Sequence, residues 1–425
     1  MFRGPFSALS TQHLLIALRI LYLNPSGQLG GAERSLLDIL ASVREAVPDW
    51  ELGLIVSSDG PLLAEAEKLG VTVRVLPFPA ALARLGDAAL KRTQRTWQRH
   101  ALLLRNLARA VPQVWLYQRR LRTAVREFAP QVLHSNGFKM HLLGAHAVPS
   151  GVPLVWHIRD YVGRRPIMAR LLRWHAGRCA LAVANSRSAA DNVREVCGLD
   201  GRVETIYNAI DVEYFTPDGP QSDLDALAGL PPCASDTVRV GLPGTLARWK
   251  GHEVFLRALS LLPTDIAVRG YVIGGALYET EGSQLSLAEL RQIAADLGLG
   301  DKVGFTGFVR DTAAVLRALD IVVHASVAPE PFGRVIVEGQ ACGRAVIASR
   351  AGGAQELFTE ETDALAHTSG DAVMLAQCIA RLARDPALRQ ALGRAGRANA
   401  VSRFDRQRLA GELLPLYQRL AEATM

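Results

Sequence analysis

The strongest constraint in this sequence is an alternation that stops and then starts again. Short β-branched apolar runs recur at Leu18–Leu23, Leu52–Ser57, Val71–Leu76, Gln131–His134, Leu154–His157, Ala180–Ala184 and Val203–Ile206. Between them lie amphipathic stretches such as Ala32–Val47, Pro61–Leu69 and Ser186–Cys197. Strands that are apolar throughout are buried on both faces, which implies a parallel sheet with helices on each side. Residues 208–234 break the pattern with Pro217, Pro220, Pro231 and Pro232, and read as a linker. The alternation then resumes with strands at Val238–Leu242, Ala267–Ile273, Lys302–Phe305, Ile321–His324 and Ala345–Ala348. Helices are expected at Gly251–Leu262, Leu287–Leu297, Thr312–Leu319 and Arg334–Cys342, and Asp405–Thr424 reads as a long final helix.

The expected fold class is therefore α/β, with two doubly wound domains facing each other across a cleft. The boundaries read as 1–210, a linker at 211–236, a second domain at 237–404 and a C-terminal helix at 405–425. That helix is expected to pack back toward the first domain. A chain of 425 residues is too long for one core, which agrees with two domains. With 49% apolar and 21% charged residues it is neither disordered nor fibrous. Ligands of such sheets bind beyond the carboxyl ends of the strands, so chemistry is expected in the cleft.

Leu14–Leu23 is about half the length a membrane span needs and carries Arg19. It could pass for a signal-peptide core behind Arg3, but Asn24-Pro25-Ser26-Gly27 reads as a strand exit without a cleavage site. The five cysteines are scattered with no C-x-x-C, which points to reduced thiols in a cytoplasmic protein and not to a zinc site. Charge is concentrated in one place. Residues Arg84–Arg126 hold eleven Lys or Arg against Asp87 alone, a net +10, so the rest of a +7 chain sums to −3. Apolar residues at helical spacing make this insertion, residues 78–128, a basic amphipathic element. Such an element suits either an anionic membrane surface, here the inner face, or a solvated face. Nucleic acid is not expected as a partner, because no recognition motif accompanies the charge.

Four motifs carry candidate chemistry. Gly27-Gln28-Leu29-Gly30-Gly31-Ala32-Glu33 lies between the first strand and its helix, where Gly30 and Gly31 allow close backbone approach to an anion. It does not fit G-x-G-x-x-G, which weighs against a dinucleotide-dependent dehydrogenase. His157 ends a strand in Trp156-His157-Ile158-Arg159-Asp160 and can meet a sugar hydroxyl or simply be satisfied by backbone. Gly244-Thr245-Leu246-Ala247-Arg248-Trp249-Lys250-Gly251 opens the second domain with two cations suited to a diphosphate or to solvent. The sharpest is Glu330-Pro331-Phe332-Gly333-Arg334-Val335-Ile336-Val337-Glu338. Phe332, Gly333, Arg334 and Val335 would offer first-turn amides to an anion, flanked by two carboxylates that need hydroxyls to accept from. A nucleotide sugar meets all of these demands. Gly307-Phe308-Val309 ends another strand and could hold a nucleobase.

With these residues in place, the sequence resembles the retaining glycosyltransferases of family 4, which have the GT-B fold. The likeness runs from Gly30-Gly31-Ala32-Glu33 through Asn185-Ser186 and Asn208-Ala209-Ile210-Asp211 to the Glu330/Glu338 element, whose E-x7-E spacing is specific. The resemblance implies a nucleoside-diphosphate-sugar donor on the C-terminal domain and a glycan or lipid-linked acceptor on the N-terminal one. It implies that Glu330 contacts the transferred sugar, Glu338 the ribose, Arg248 and Lys250 the diphosphate, and that His157 lies near the anomeric centre. It also implies transfer with retention, no metal and no cofactor beyond the donor, in cell-envelope polysaccharide synthesis. One departure stands out: many relatives carry Arg after the glycine that corresponds to Gly244, and here the residue is Thr245. Arg248, one turn on, is the candidate to compensate. The rival readings are a nucleotide-sugar epimerase and a catalytically silent binding protein of the same architecture.

Overall fold

A computed structural model describes residues 17–79, 96–275 and 284–424, with backbone alone for 96–110. The opening residues and the start of the basic insertion, 80–95, lie outside the described residues. The N-terminal sheet has seven strands: β1 Arg19–Asn24, β2 Glu51–Val56, β3 Thr72–Val75, β4 Val132–Asn136, β5 Leu154–Ile158, β6 Leu181–Ala184 and β7 Val203–Thr205. Their order is β3-β2-β1-β4-β5-β6-β7, and every pairing is parallel. The second sheet has six: β8 Val238–Pro243, β9 Val268–Ile273, β10 Val303–Gly307, β11 Ile321–His324, β12 Ala345–Ser349 and β13 Leu365–His367. It runs β10-β9-β8-β11-β12-β13, again parallel throughout. In both sheets the winding reverses beside the first strand, at β1/β4 and at β8/β11.

All the expected strands are present. β13 was not expected: three residues are too short a run to register as periodicity. The apolar character of the strands follows from their position, since β4, β5, β6, β11 and β12 are buried along their whole length. From residue 96 on, the described part of the basic insertion is a helix, Thr96–Phe128, lying against helix Phe138–Ala147 through Gln118, whose amide donates to the Leu143 carbonyl at 3.0 Å. The proline-rich linker is more structured than its composition suggests. It contains a helical turn, Leu224–Ala228, and its Asp225 receives Arg269 at 2.7 Å and the Tyr271 hydroxyl at 2.6 Å.

The chain crosses between the domains twice, and the two crossings run side by side. Ile210 N donates to the Phe404 carbonyl at 2.8 Å and Arg406 N to the Ile210 carbonyl at 2.9 Å. The final helix, Arg408–Glu422, then lies on the N-terminal domain, where Leu413 and Tyr417 are buried with Leu36 and Leu40 of helix Gly31–Ala46.

Candidate functional site

The carboxyl ends of both sheets open onto one cleft of about 1280 Å³. That exceeds the roughly 300–1,000 Å³ of a pocket for one small ligand and leaves room for two substrates. The loops after β1 and β4 line one wall, and those after β8 and β11 line the other, so the cleft joins the two switch points.

Glu330 is the centre of the C-terminal wall. One carboxylate oxygen accepts from Lys250 Nζ at 2.6 Å, and the other from Ser326 Oγ at 2.7 Å and His324 Nε2 at 2.8 Å. Burial opposes the charge, but Lys250 and His324 outweigh it and hold the carboxyl well below the usual carboxylate range. The glutamate is therefore fixed as an anion beside a cation. Its backbone is also held across the domain boundary, where the Tyr161 hydroxyl lies 3.3 Å from the Glu330 carbonyl and accepts from Gly353 N at 3.0 Å.

Four residues on, helix Arg334–Ala341 begins in the same wall. Its N-cap is Gly333 with φ 95°, a conformation that L side chains rarely adopt. Free first-turn amides and the positive end of the helix suit an anion there. Phe332, Val335 and Val309 line the cleft beside it. Glu338, one turn inside, accepts from Arg334 Nε at 3.0 Å. The same guanidinium reaches the other domain, donating to Asp38 at 2.7 Å, Ser35 at 3.1 Å and the Ala209 carbonyl at 3.1 Å. Arg334 thus straps the two walls together, and Asp38 and Glu338 keep it charged despite burial.

On the N-terminal wall, Gly30 and Gly31 line the cleft, and Glu33 pins the loop by accepting from Gly30 N at 3.1 Å. His157 lines the cleft too, at the end of a buried chain. Its Nδ1 is 3.1 Å from His134 Nε2; His134 Nδ1 is 2.7 Å from the Tyr417 hydroxyl; that hydroxyl is 3.3 Å from Tyr22. The Tyr22 hydroxyl has no other partner among the described residues, and a buried donor left unpaired is costly. Tyr22 therefore donates to Tyr417, and Tyr417 to His134 Nδ1. His134 in turn donates from Nε2 to His157 Nδ1. His157 is left with its hydrogen on Nε2. Burial, with Arg159 and His134 nearby, keeps its pKa far below the ordinary value, so the ring is neutral.

This order makes a prediction. Tyr417→Phe removes the donor to His134 and should leave His157 as a mixture of tautomers, whereas Tyr22→Phe should not. Nitrogen-15 spectra of the labelled histidines read this directly, and a wild-type His157 protonated on Nδ1 would overturn the order.

All the expected site residues line the cleft, Thr245 among them, with the exception of Arg248. The Arg248 guanidinium turns away from the cleft to Glu289 at 2.9 Å and Glu253 at 3.7 Å. It is spent on a surface ion pair and does not take the place of an arginine at Thr245; Lys250 is the cation of that loop that faces the cleft. Gly274, beside that loop, is required by packing, since a Cβ there would lie 1.8 Å from the Gly244 carbonyl oxygen. Sequence reasoning missed His324 and Ser326 as the supports of Glu330, the Arg334 strap and the His134–Tyr417 chain. His324 left a signal, a histidine ending a buried strand six residues before Glu330. The others depend on contacts between residues distant in sequence.

Two wound sheets facing across such a cleft, with an ionised glutamate and a helix start in one wall, define a GT-B glycosyltransferase. The chain belongs to the group 1/family 4 glycosyltransferases: the Glycosyltransferase Family 4 model matches residues 29–214 and the Glycosyl transferases group 1 model residues 235–399. Among its relatives is the lipopolysaccharide core biosynthesis glycosyltransferase LpsD of Rhizobium meliloti, 29% identical over 78% of this chain and 89% of that protein. A D-inositol 3-phosphate glycosyltransferase of Saccharomonospora viridis is 32% identical over 56% of this chain, but the match spans only 54% of that relative. Among solved structures, HepE of Anabaena in complex with UDP-glucose superposes with a TM-score of 0.74 and 26% identity, over 96% of this chain and 99% of that one.

Proposed function

We propose that this glycosyltransferase moves a sugar from a nucleoside-diphosphate sugar to a glycan or lipid-linked acceptor in cell-envelope polysaccharide synthesis, with retention of anomeric configuration and without a metal. The observation that carries the reading is the Lys250–Glu330 pair at 2.6 Å beside the amides of helix Arg334–Ala341, facing His157 across the cleft. In this reading the diphosphate lies on the helix amides with Lys250 beside it, Glu330 accepts from hydroxyls of the transferred sugar, and Glu338 accepts from the ribose. Lys250 and the amides stabilise the charge that develops as the nucleoside diphosphate leaves. The acceptor hydroxyl attacks on the face that the leaving group vacates, and its proton passes to the departing diphosphate oxygen. The crystallised HepE complex with UDP-glucose and the lipopolysaccharide relative support the donor and the pathway class.

The test is a panel of UDP-, GDP- and ADP-sugars scored by melting temperature. A ligand at 100 times its Kd adds about 2.7 kcal/mol. One nucleotide series is expected to stabilise the wild type and to lose most of that effect in Glu338→Gln, which can still accept from Arg334. A shift without turnover on any acceptor would favour a silent binding protein, donor epimerisation without acceptor would favour an epimerase, and no shift with any nucleotide would overturn the donor reading. An inverted product, or activity abolished by a chelator, would overturn the stereochemical and metal-independent parts of the reading.

Membrane association is part of the same proposal. Helix Thr96–Phe128 exposes Val111, Trp115 and Leu116, with Arg119 stacked over Trp115 at 4.8 Å. Helix Pro166–His175 exposes Ile167 and leaves Trp174 82% accessible. Helix Phe138–Ala147 joins them: Arg122 donates to the His146 carbonyl at 2.6 Å, and the His146 and His175 rings meet at 2.9 Å. Among the described residues no helix is long and apolar enough to cross a membrane. Each Lys or Arg near an anionic surface is worth about 1 kcal/mol. The protein is expected to partition onto anionic vesicles over neutral ones, and less so after Trp115→Ser and Trp174→Ser. Equal partition would count against it.

A further inference from the structure

The strand ends of the N-terminal sheet carry more polar atoms than the protein itself satisfies. Asn136 pairs with His157 in the β4–β5 register, and Arg159 and Asn185 are the residues just beyond the paired Ile158 and Ala184 of β5 and β6. These four side chains and His141 all line the cleft. Among the described residues, Asn136 Nδ2, His141 Nε2, His157 Nε2, Arg159 Nη2 and Asn185 Oδ1 are sealed from solvent without a hydrogen-bond partner. Asn136, His141, His157 and Asn185 are each at most 3% exposed. Five unpaired polar atoms at adjoining strand ends far exceed what a folded domain ordinarily tolerates. Leaving them so is costly unless a polar ligand pairs with them.

Arg159 decides what kind of ligand. Its Nε donates to Asn136 Oδ1 at 3.3 Å and its Nη1 to Asn208 Oδ1 at 2.6 Å, both neutral amide oxygens. Arg334, by contrast, holds two carboxylates, Asp38 and Glu338. No described carboxylate comes within ion-pair distance of Arg159; Glu33 and Asp38 act on it only through space. Burial and the repulsion of Arg334 push its pKa down to about 9, and an anion at Nη2 would relieve both. The diphosphate of a donor has its own receptors on the opposite wall, at Lys250 and the helix amides.

We propose that these strand ends form the acceptor pocket, and that the acceptor is a saccharide or cyclitol bearing a phosphate or carboxylate. The anion is held by Arg159, and the hydroxyls by Asn136, His141 and Asn185. The pocket rests on the glycosyltransferase reading above and adds the chemical class of the second substrate. Charge-assisted hydrogen bonds from a sealed guanidinium give an anionic ligand about tenfold or more over its neutral counterpart.

The experiment uses matched probes on the full chain, with nucleoside diphosphate saturating: glucose beside glucose 6-phosphate and glucuronate, and myo-inositol beside its monophosphate. Calorimetric affinities are expected to favour an anionic member about tenfold, with the phosphate and carboxylate arms telling which anion fits. Arg159→Gln should reduce that preference to less than about twofold while leaving nucleotide binding intact. Asn185→Ala should weaken both members of each pair equally and keep the preference. Equal binding of neutral and anionic probes, or an anionic preference that appears only when nucleoside diphosphate is left out, overturns the proposal. If no nucleotide binds the wild type, the donor reading fails, and the same pairs measured without nucleotide still decide the anion pocket.

Discussion

Replacing Lys250 with Met is expected to lower kcat/KM by about two to three orders of magnitude, the range lost when one group that stabilises developing negative charge is removed. It should also destabilise the fold, because it leaves the Glu330 carboxylate buried beside His324 and Ser326 without its cation. Breaking one side of a buried pair typically costs about 3–5 kcal/mol. The double variant Lys250→Met/Glu330→Gln removes the stranded charge and should recover most of the stability but none of the activity. Denaturant midpoints and initial rates on the three proteins separate the two effects. If the double variant is no more stable than Lys250→Met, the pair is not the clamp inferred from its 2.6 Å contact. The pH behaviour follows from the direction of the Glu330 shift. Its folded value lies below the unfolded one, so its contribution is complete above about pH 4.3 and fades as pH falls below that.

Acid should unfold the protein well before that. His134 and His141 have pKa values driven down by burial to about 3, and His157 is also far below its ordinary value. In the unfolded chain each takes a proton near pH 6.5, whereas the native state excludes it until much lower pH. The unfolded state therefore binds more protons across the window from about 6.5 to 3, and stability falls as pH falls. Each histidine contributes about 1.4 kcal/mol per pH unit there, so the three together approach about 4 kcal/mol per unit. Against a net stability of about 5–15 kcal/mol, the midpoint of urea unfolding should drop steeply between pH 7 and pH 5. A midpoint unchanged over that range would mean that these rings are protonated in the native state and that the tautomer order through Tyr417 fails with them.

The buried trio also shows how little of the cleft could be read locally. Two of its histidines end or adjoin strands that the hydrophobic runs had located, yet nothing in Gln131–His134 or Leu154–His157 says that the two rings touch. That contact is made by the β4–β5 register, and its direction is set by Tyr417, more than 250 residues away. Arg248 is the opposite case. Its position after a glycine loop suggested a cleft cation, but Glu253 on the following helix and Glu289 from a later one draw it outward. The strap from Arg334 to Asp38 likewise joins positions separated by 296 residues.

By itself the sequence determined the two wound sheets, the switch-point loops and the Glu330–Glu338 element. Each of these is written in local periodicity or spacing: runs buried on both faces, glycines where strands end, and two carboxylates around one helix start. Tertiary structure alone decided which cation neutralises Glu330, which residues of the opposite wall Arg334 holds, and which polar atoms at the strand ends stay unpaired. Those outcomes depend on distances between side chains far apart in the chain. Electrostatics and hydrogen bonding act over a few ångströms of space, and a sequence records only neighbours along the backbone.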